Sequence, residues 1–271
     1  MSTTTPVPIG LTIAGSDSGG GAGIQADLKA FSALGVYGAS VITAVTAQNT
    51  QAVTAVHGIP TNIIAAQLDA VFDDLNVGVV KIGMLATSDI IGTVVTALID
   101  CPAPIVLDPV MIAKSGDALL QTEAIDALRI RLLPLAALLT PNIPEAAVLL
   151  GTEDATSIEQ MEEQGRALLE MGPKAVLMKG GHAEGSDCVD LLIMDDGFIL
   201  ELHAPRIDTQ NTHGTGCTLS ASIAAGLAKG LTLDDAVREA HHYLQGAIAA
   251  ADGMGVGSGH GPVHHFHQIW T

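Results

Sequence analysis

Short apolar runs alternate along the chain with longer segments in which apolar residues recur at helical spacing. The runs have the length and the β-branched content of buried strands, and they lie at 11–16, 39–47, 79–84, 105–108, 138–140 and 175–178. The helical segments lie at 24–34, 61–75, 88–98, 122–133 and 157–171, with two more that end near residues 230 and 251. This alternation predicts parallel βαβ units and an α/β fold, with an antiparallel hairpin at 191–202.

Polar residues at the predicted helix starts indicate caps. Ser88 or Asp89 can cap the third predicted helix, and Thr232, with Asp235 after it, can cap the last one. Asn142 followed by Glu145 is typical of a capping box. A second interpretation of Glu145 stays open, because a carboxylate at a strand-to-helix junction lies where Mg²⁺ or its waters can be held.

The composition refines this picture. Of the 271 residues, 48% are hydrophobic but only 3% are aromatic, and 30 are glycine, so the core must consist of Ala, Val, Ile and Leu. Because no repeat, low-complexity block or linker divides residues 1–271, we expect one domain. The formal net charge of −18 would repel nucleic acid and anionic membranes, so neither is an expected partner.

Cysteine and histidine positions exclude several kinds of site. Cys101, Cys188 and Cys217 are far apart, so neither a disulfide framework nor a zinc site is expected, and a reducing cytoplasm fits. From the residues at 1–8 we expect no signal peptide, and we find no run long enough to span a bilayer. Four histidines near the C-terminus lack a neighbouring carboxylate or cysteine, so we expect no metal site there; they are His260, His264, His265 and His267.

The strongest candidate for chemistry is the glycine-spaced loop at 214–217, which leads into a helix of small residues. The first N–H groups of a helix have no intrahelical partner and the helix dipole is positive there, so the loop can bind an anion. Gly214 and Gly216 let backbone amides approach that anion, and the pKa of Cys217 is expected to be lowered. The arrangement favours phosphoryl transfer, although glycine-rich turns are common and a lone cysteine is often only a buried apolar residue.

A second glycine motif, at 21–26, imitates the dinucleotide-binding fingerprint. That fingerprint requires an acidic residue at the end of the second strand, where this chain has Gln48 and Asn49, so a dehydrogenase is disfavoured. The carboxamide of Gln48 can pair with the edge of a heterocycle, or it can belong to a simple turn. Asp108 and Lys179 also follow buried strands, and Lys179 is either a phosphate clamp or a solvated lysine.

The order and spacing of short motifs resemble one family over nearly the whole chain. The motifs lie at 14–27, 45–50, 81–85, 107–116, 140–145, 178–182 and 211–217. Each is short, but together they are similar to those of the hydroxymethylpyrimidine/phosphomethylpyrimidine kinases of the ribokinase superfamily.

The resemblance implies a ribokinase-like fold, in which a central, mostly parallel sheet is flanked by helices on both faces, and usually a homodimer. It implies an enzyme that uses ATP and Mg²⁺ to phosphorylate 4-amino-5-hydroxymethyl-2-methylpyrimidine, and then its monophosphate, in thiamine biosynthesis. A pyridoxal or pyridoxine kinase is the nearest alternative. A non-catalytic protein that binds a pyrimidine is a second alternative.

The same resemblance implies roles for individual residues. The pyrimidine would lie among Gly15, Asp27, Gln48, Met84 and Val110. The two carboxylates near Mg²⁺ would be Asp108 and Glu145, and the residues near the nucleotide would be Lys179, Thr212 and Thr215. The catalytic loop would contain Gly214, Gly216 and Cys217, with the cysteine as the base in place of the aspartate that most of the superfamily carries.

Overall fold

The computed structural model describes residues 6–111, 119–181 and 187–270. The strands of this part of the chain are β1 (Ile9–Asp17), β2 (Tyr37–Gln48), β3 (Val53–Gly58), β4 (Val79–Ile82), β5 (Ile105–Leu107), β6 (Leu138–Leu139), β7 (Ala175–Met178), β8 (Asp187–Met194) and β9 (Ile199–Pro205). They form one nine-stranded sheet in the order β3-β2-β1-β4-β5-β6-β7-β8-β9. The motif residues 112–116 and His182 lie outside the described residues.

The centre of the sheet is parallel, as the alternating pattern predicts. Neighbouring strands from β2 through β1, β4, β5 and β6 to β7 run in the same direction. The antiparallel hairpin of β8 and β9 extends this sheet at one side, which confirms the predicted hairpin although its strands are longer than expected. The other side carries β3, a strand that the sequence analysis did not predict.

The missed strand has a physical explanation. It is exposed along nearly its whole length, so its residues lack the buried apolar run that marks the other strands. It pairs antiparallel with the end of β2 after a short turn at 49–52, and thereby extends that end of the sheet.

Helices cover both faces of the sheet, which confirms the expected α/β architecture. They are α1 (Gly23–Ala33), α2 (Thr61–Asp74), α3 (Ser88–Leu98), α4 (Thr122–Ala127), α5 (Ile143–Leu150), α6 (Ile158–Leu169), α7 (Thr215–Ala228) and α8 (Leu233–Ala249). One face packs α1, α7 and α8 through a cluster that includes Phe31, Ile223 and Val237. The other face packs α2 to α6 through a larger aliphatic cluster. None of the described helices is long and apolar enough to cross a membrane.

Two local details differ from the sequence prediction. The side chain that caps α3 is Thr87 rather than Ser88 or Asp89, since its hydroxyl accepts a hydrogen bond from the Ile90 N–H at 3.3 Å. The helix predicted at 122–133 is regular only as far as residue 127 and then continues as a π turn and a 3₁₀ turn. The 3₁₀ turn contains Pro134, whose ring and missing N–H prevent a regular helix from continuing.

Two predicted caps are confirmed. The side chain of Asn142 accepts a hydrogen bond from the Glu145 N–H at 2.8 Å, and the Glu145 carboxylate accepts one from the Asn142 N–H at 2.8 Å. This is the reciprocal pattern of a capping box. Thr232 caps α8 through the Asp235 N–H.

One charged pair is fully enclosed between α1 and the sheet. Both carboxylate oxygens of Asp27 lie 2.9 Å from the Lys81 ammonium, and Thr12 donates a 2.6 Å hydrogen bond to the same carboxylate. Neither charged side chain is exposed to solvent. Burial alone would lower the pKa of Lys81, but the attraction of Asp27 outweighs it and holds that pKa above its ordinary value. The pair therefore links α1 to β4 beneath the carboxyl edge of the sheet.

We predict that Lys81→Met lowers the free energy of unfolding by about 3–5 kcal/mol, because it leaves the Asp27 charge buried and unpaired. The double variant Asp27→Leu/Lys81→Met removes both charges and should recover most of that loss, since apolar pairs of similar volume often replace buried ion pairs without cost. Urea denaturation of both variants measures this. A loss in Lys81→Met that the double variant fails to recover would contradict the account.

Candidate active site

Four polar residues, three of them selected by the sequence analysis, lie at one edge of the sheet. Asp17 and Gln48 end β1 and β2, while Asp108 and Lys179 directly follow β5 and β7. Because the carboxyl ends of parallel strands meet at the same edge, these side chains surround a single region. The amino end of α7 reaches this region from the covering helix layer.

A buried cluster of opposite charges forms one part of the region. The Lys179 ammonium lies 2.8 Å from an Asp108 carboxylate oxygen and 3.8 Å from a Glu145 carboxylate oxygen. Hydroxyl groups of Thr140 and Ser220 lie 3.3 and 3.4 Å from the Asp108 carboxylate. These contacts hold the Lys179 head group in place beside two acidic side chains.

The charges in this cluster shift one another's pKa values. Burial would lower the pKa of Lys179, but the attraction of Asp108 and Glu145 outweighs it and raises that pKa. Burial would raise the pKa of Asp108, yet Lys179 and Lys81 together hold it below its ordinary value. Burial raises the pKa of Glu145 to about 7, with Lys179 opposing the rise and Asp108 adding to it. Glu145 is therefore the carboxyl group of this cluster that is most easily protonated.

The amino end of α7 lies directly against this cluster. A Cβ placed on Gly216 would lie 3.3 Å from the Lys179 Nζ and 3.6 Å from an Asp108 carboxylate oxygen. Gly214 is the N-cap residue of α7 and has a φ of +79°, and a Cβ there would lie 1.9 Å from the Gly21 carbonyl oxygen. Only glycine fits that position. The amino end of α7 therefore lies beside the Lys179 ammonium, and the positive end of a helix next to a cation suits an anion.

The protonation state expected for Cys217 is wrong. Burial raises the pKa of its thiol to about 11; Lys81 opposes the rise, and the carboxylates of Asp27 and Asp108 add to it. The favourable helix dipole does not compensate for the burial of the sulfur and for the charges of these carboxylates. In this arrangement Cys217 is a neutral thiol at physiological pH.

Asp17 organises the glycine-rich loop that follows β1. Its carboxylate accepts hydrogen bonds from the N–H groups of Gly19, Gly21 and Ala22 at 2.8 to 3.0 Å. The same carboxylate lies 2.9 Å from the His213 Nε2. Burial would raise the pKa of Asp17, but these hydrogen bonds, with that of His213 the largest, hold it below its ordinary value. The sequence analysis assigned no role to either residue.

His213 connects this loop to the C-terminal segment of the chain. A Cβ placed on Gly21 would lie 2.3 Å from the imidazole ring, so the ring packs directly on the backbone of the glycine-rich loop. The backbone N–H of His213 donates to the Gly261 carbonyl at 3.0 Å, and the backbone carbonyl of His213 accepts from the Val263 N–H at 3.3 Å. The signal in the sequence was the position of His213 immediately before the anion-binding loop.

The residues expected around the pyrimidine do not all face one space. Gly15 adjoins Met84, whose sulfur would lie 3.1 Å from a Cβ on Gly15. Val110 is half-buried and lies in the segment that follows β5. Gln48 is half-buried and contacts His213. Asp27 is fully buried, and its oxygens are bonded to Lys81 and Thr12. The proposed contact of each residue with a pyrimidine stays a prediction.

Thr212 and Thr215 lie at the turn into α7, which is where the resemblance implies nucleotide contacts. Both residues are half-buried, and the Thr215 N–H donates to the Thr212 carbonyl at 3.4 Å. They therefore belong to the same turn as Gly214 and Gly216. Their contact with a nucleotide also stays a prediction.

Asp190 is a further residue that the sequence analysis missed. It lies on β8, is buried, and accepts a 2.9 Å hydrogen bond from the Gly180 N–H. This contact secures the backbone directly after Lys179. The signal was an acidic residue inside the apolar run at 189–193, where a carboxylate requires a specific partner.

Among the cavities lined by the described residues, two are of interest. The larger, about 190 Å³, lies between α7, α8 and Gln268, away from the charged cluster. The smaller lies beside Gln48 and His213 and measures about 20 Å³, enough for about one water molecule. A heterocycle that binds beside Gln48 therefore requires a wider cleft than this one.

The cluster also fits a hard cation. Mg²⁺ prefers oxygen ligands, and it is usually held by one or two carboxylates together with substrate phosphates. Asp108 and Glu145 provide two such carboxylates next to Lys179. Among the described residues, no group of three or more His, Cys, Asp and Glu side chains could hold a metal by itself, and this includes the C-terminal histidines.

Comparison with known proteins shows similarity over nearly the whole chain. A family model described as phosphomethylpyrimidine kinase matches residues 17–264. The hydroxymethylpyrimidine/phosphomethylpyrimidine kinase of Rhizobium meliloti is 56% identical over 97% of this chain and 98% of its own length.

Solved structures give the same result at the level of the fold. A phosphomethylpyrimidine kinase from Clostridium difficile matches with a TM-score of 0.78 and 46% identity, over 89% of this chain and 99% of that one. An ADP complex of Bacillus subtilis pyridoxal kinase matches with a TM-score of 0.90 and 35% identity, over 98% of this chain and 100% of that one. These structures confirm the ribokinase-like fold.

Proposed function

This chain belongs to the phosphomethylpyrimidine kinase family, and we infer from that membership that it phosphorylates hydroxymethylpyrimidine with ATP and then phosphorylates the monophosphate. This activity belongs to thiamine biosynthesis, for which other relatives are named. The observation that carries the proposal is the close approach of Gly216 to Lys179. A Cβ placed on Gly216 would lie 3.3 Å from the Lys179 Nζ. A backbone anion site and a fixed cation there face one space, as a transferring phosphate requires.

In the proposed mechanism, the protein mainly positions the reactants and stabilises charge. The N–H groups at the start of α7 bind the transferring phosphoryl group, and Lys179 neutralises its charge. Gln48 pairs with the pyrimidine and directs its hydroxymethyl group toward that loop. Mg²⁺, when held by Asp108 and Glu145, would neutralise further phosphate charge.

Cys217 lies at the anion-binding turn and is the candidate base for the substrate hydroxyl. Because the pKa of its thiol is about 11, only about one molecule in ten thousand carries the thiolate at pH 7. The loose transition state of phosphoryl transfer limits this cost, since the hydroxyl need not lose its proton early. A base with this pKa becomes more effective as the pH rises.

Other parts of the proposal rest on the fold and on the resemblance. We propose that the chain acts as one kinase domain, because a single sheet contains all the described strands. The homodimer remains a proposal, supported by the exposed edge strand β3 and by the exposed Val56 on it. The cytoplasmic location is likewise proposed from the cysteine spacing.

We predict that the protein converts 4-amino-5-hydroxymethyl-2-methylpyrimidine and Mg-ATP into both the monophosphate and the diphosphate. Chromatography of the products measures both steps, with pyridoxal assayed in parallel because the Bacillus subtilis pyridoxal kinase has a similar fold. The value of kcat/KM should be higher for the pyrimidine than for pyridoxal. A higher value for pyridoxal would favour the alternative kinase, and no turnover of either alcohol would favour a binding protein.

We predict that Cys217→Ala lowers kcat by about 10²–10⁴, the usual contribution of a general base, with little change in the KM for the pyrimidine. In the wild-type protein kcat should rise between pH 7 and pH 9, because the thiolate fraction increases below a pKa of about 11. The variant should lose that rise. Cys188→Ala, on β8, is the matched control. Near-normal turnover in Cys217→Ala would remove Cys217 from the role of base.

A further inference from the structure

The side-chain amide of Gln48 lies between two polar partners. Its Oε1 is 3.1 Å from the Thr46 hydroxyl oxygen, and its Nε2 is 3.4 Å from the His213 Nε2. The two ends of an amide have nearly the same shape, and they exchange places when the group rotates by half a turn. Hydrogen-bond accounting at both ends therefore decides which orientation is stable.

The end near His213 requires an acceptor. His213 Nε2 lies 2.9 Å from the Asp17 carboxylate, which can only accept, so this nitrogen must carry a hydrogen. That holds for the neutral ring with its hydrogen on Nε2 and for the imidazolium alike. If the NH₂ group of Gln48 faced this nitrogen, two donors would meet. A carbonyl oxygen at the same place would accept a second, weaker contact from the His213 N–H.

The end near Thr46 requires a donor. The Thr46 hydroxyl has one hydrogen, and it lies 3.0 Å from the Ser16 carbonyl oxygen, which can only accept. That hydrogen cannot also serve a Gln48 carbonyl at 3.1 Å. An NH₂ group at this place would donate to the free lone pair of the hydroxyl. Both ends thus favour the same rotated amide, on independent contacts.

We propose that Thr46 and the His213–Asp17 pair hold Gln48 with its carbonyl oxygen toward His213 and its NH₂ toward Thr46, and that this orientation determines substrate specificity. The inference rests on the proposed function, in which Gln48 pairs with the pyrimidine. In this orientation one oxygen lone pair and one N–H remain for a ligand. They match a ring that places an exocyclic amino group beside an accepting ring nitrogen.

The orientation also determines the direction of the substrate. In hydroxymethylpyrimidine the amino group lies between the accepting ring nitrogen and the carbon that carries the hydroxymethyl group. When the amino group of the substrate donates to the Gln48 oxygen, the hydroxymethyl group of the substrate lies on the side of the Gln48 amide that faces His213. His213 immediately precedes Gly214 in the anion-binding loop, so the alcohol is directed toward the site of phosphate transfer. The opposite orientation of the Gln48 amide would direct the hydroxymethyl group away from that site.

Two analogues with opposite hydrogen-bond patterns test the inference. The amino compound presents an acceptor and a donor, whereas its 4-oxo analogue presents a ring N–H donor and an oxygen acceptor. The discrimination ratio is kcat/KM for the amino compound divided by kcat/KM for the 4-oxo compound. Thr46→Val removes the hydroxyl but keeps the shape of the side chain. Thr46→Ser keeps the hydroxyl and is the matched control, and His213→Phe keeps a ring but has no N–H to donate.

We expect Thr46→Val and His213→Phe each to lower the ratio by about five- to tenfold, the usual effect of one neutral hydrogen bond, while Thr46→Ser stays near the wild type. The KM for Mg-ATP and the unfolding temperature of Thr46→Val should stay unchanged. An unchanged ratio, or an equal fall in kcat/KM for both analogues, would overturn the inference while leaving the kinase assignment intact. If the wild-type protein fails to phosphorylate the amino compound, the proposed function is wrong and this inference fails with it.

Discussion

The site depends on one largely buried ammonium group that lies beside two carboxylates and the positive end of a helix. Lys179 is held by Asp108 at 2.8 Å and faces Gly216 at the start of α7. Without those carboxylates, the ammonium and the helix dipole would repel each other in a region shielded from water. With them, the site is close to electrically balanced when empty, and an incoming phosphate meets donors that are already in place. This local arrangement is independent of the chain's overall charge of −18.

A second constraint joins distant parts of the sequence. The loop after β1 and the loop before α7 approach so closely that a Cβ on Gly214 would lie 1.9 Å from the Gly21 carbonyl oxygen. Asp17 and His213 connect the same two loops by a hydrogen bond. The loop after β1 and the loop before α7 therefore form one structural unit. A change on one side of this contact affects the other side.

The sequence predicted those features that depend on local pattern. The buried strands, most helices, the capping box at Asn142 and the polar strand ends all follow from periodicity and residue type over a few positions. Features that depend on long-range contacts were missed or wrong. The exposed strand β3 lacks an apolar run, and the pKa of Cys217 depends on Asp27 and Asp108, which are distant in sequence. The motif resemblance supplied the set of site residues, but it did not indicate the partners that orient them, such as Asp190 and His213.

The most direct test of the account is the calorimetric dissociation constant of a non-hydrolysable ATP analogue with Mg²⁺, compared between the wild-type protein and Lys179→Gln. Glutamine keeps a polar contact with Asp108 but has no charge. If Lys179 and the start of α7 bind the phosphates, the variant should bind the analogue about 10- to 100-fold more weakly, the loss of one charge-assisted hydrogen bond, and should bind adenosine as before. Equal affinity of both proteins for the analogue would contradict the account.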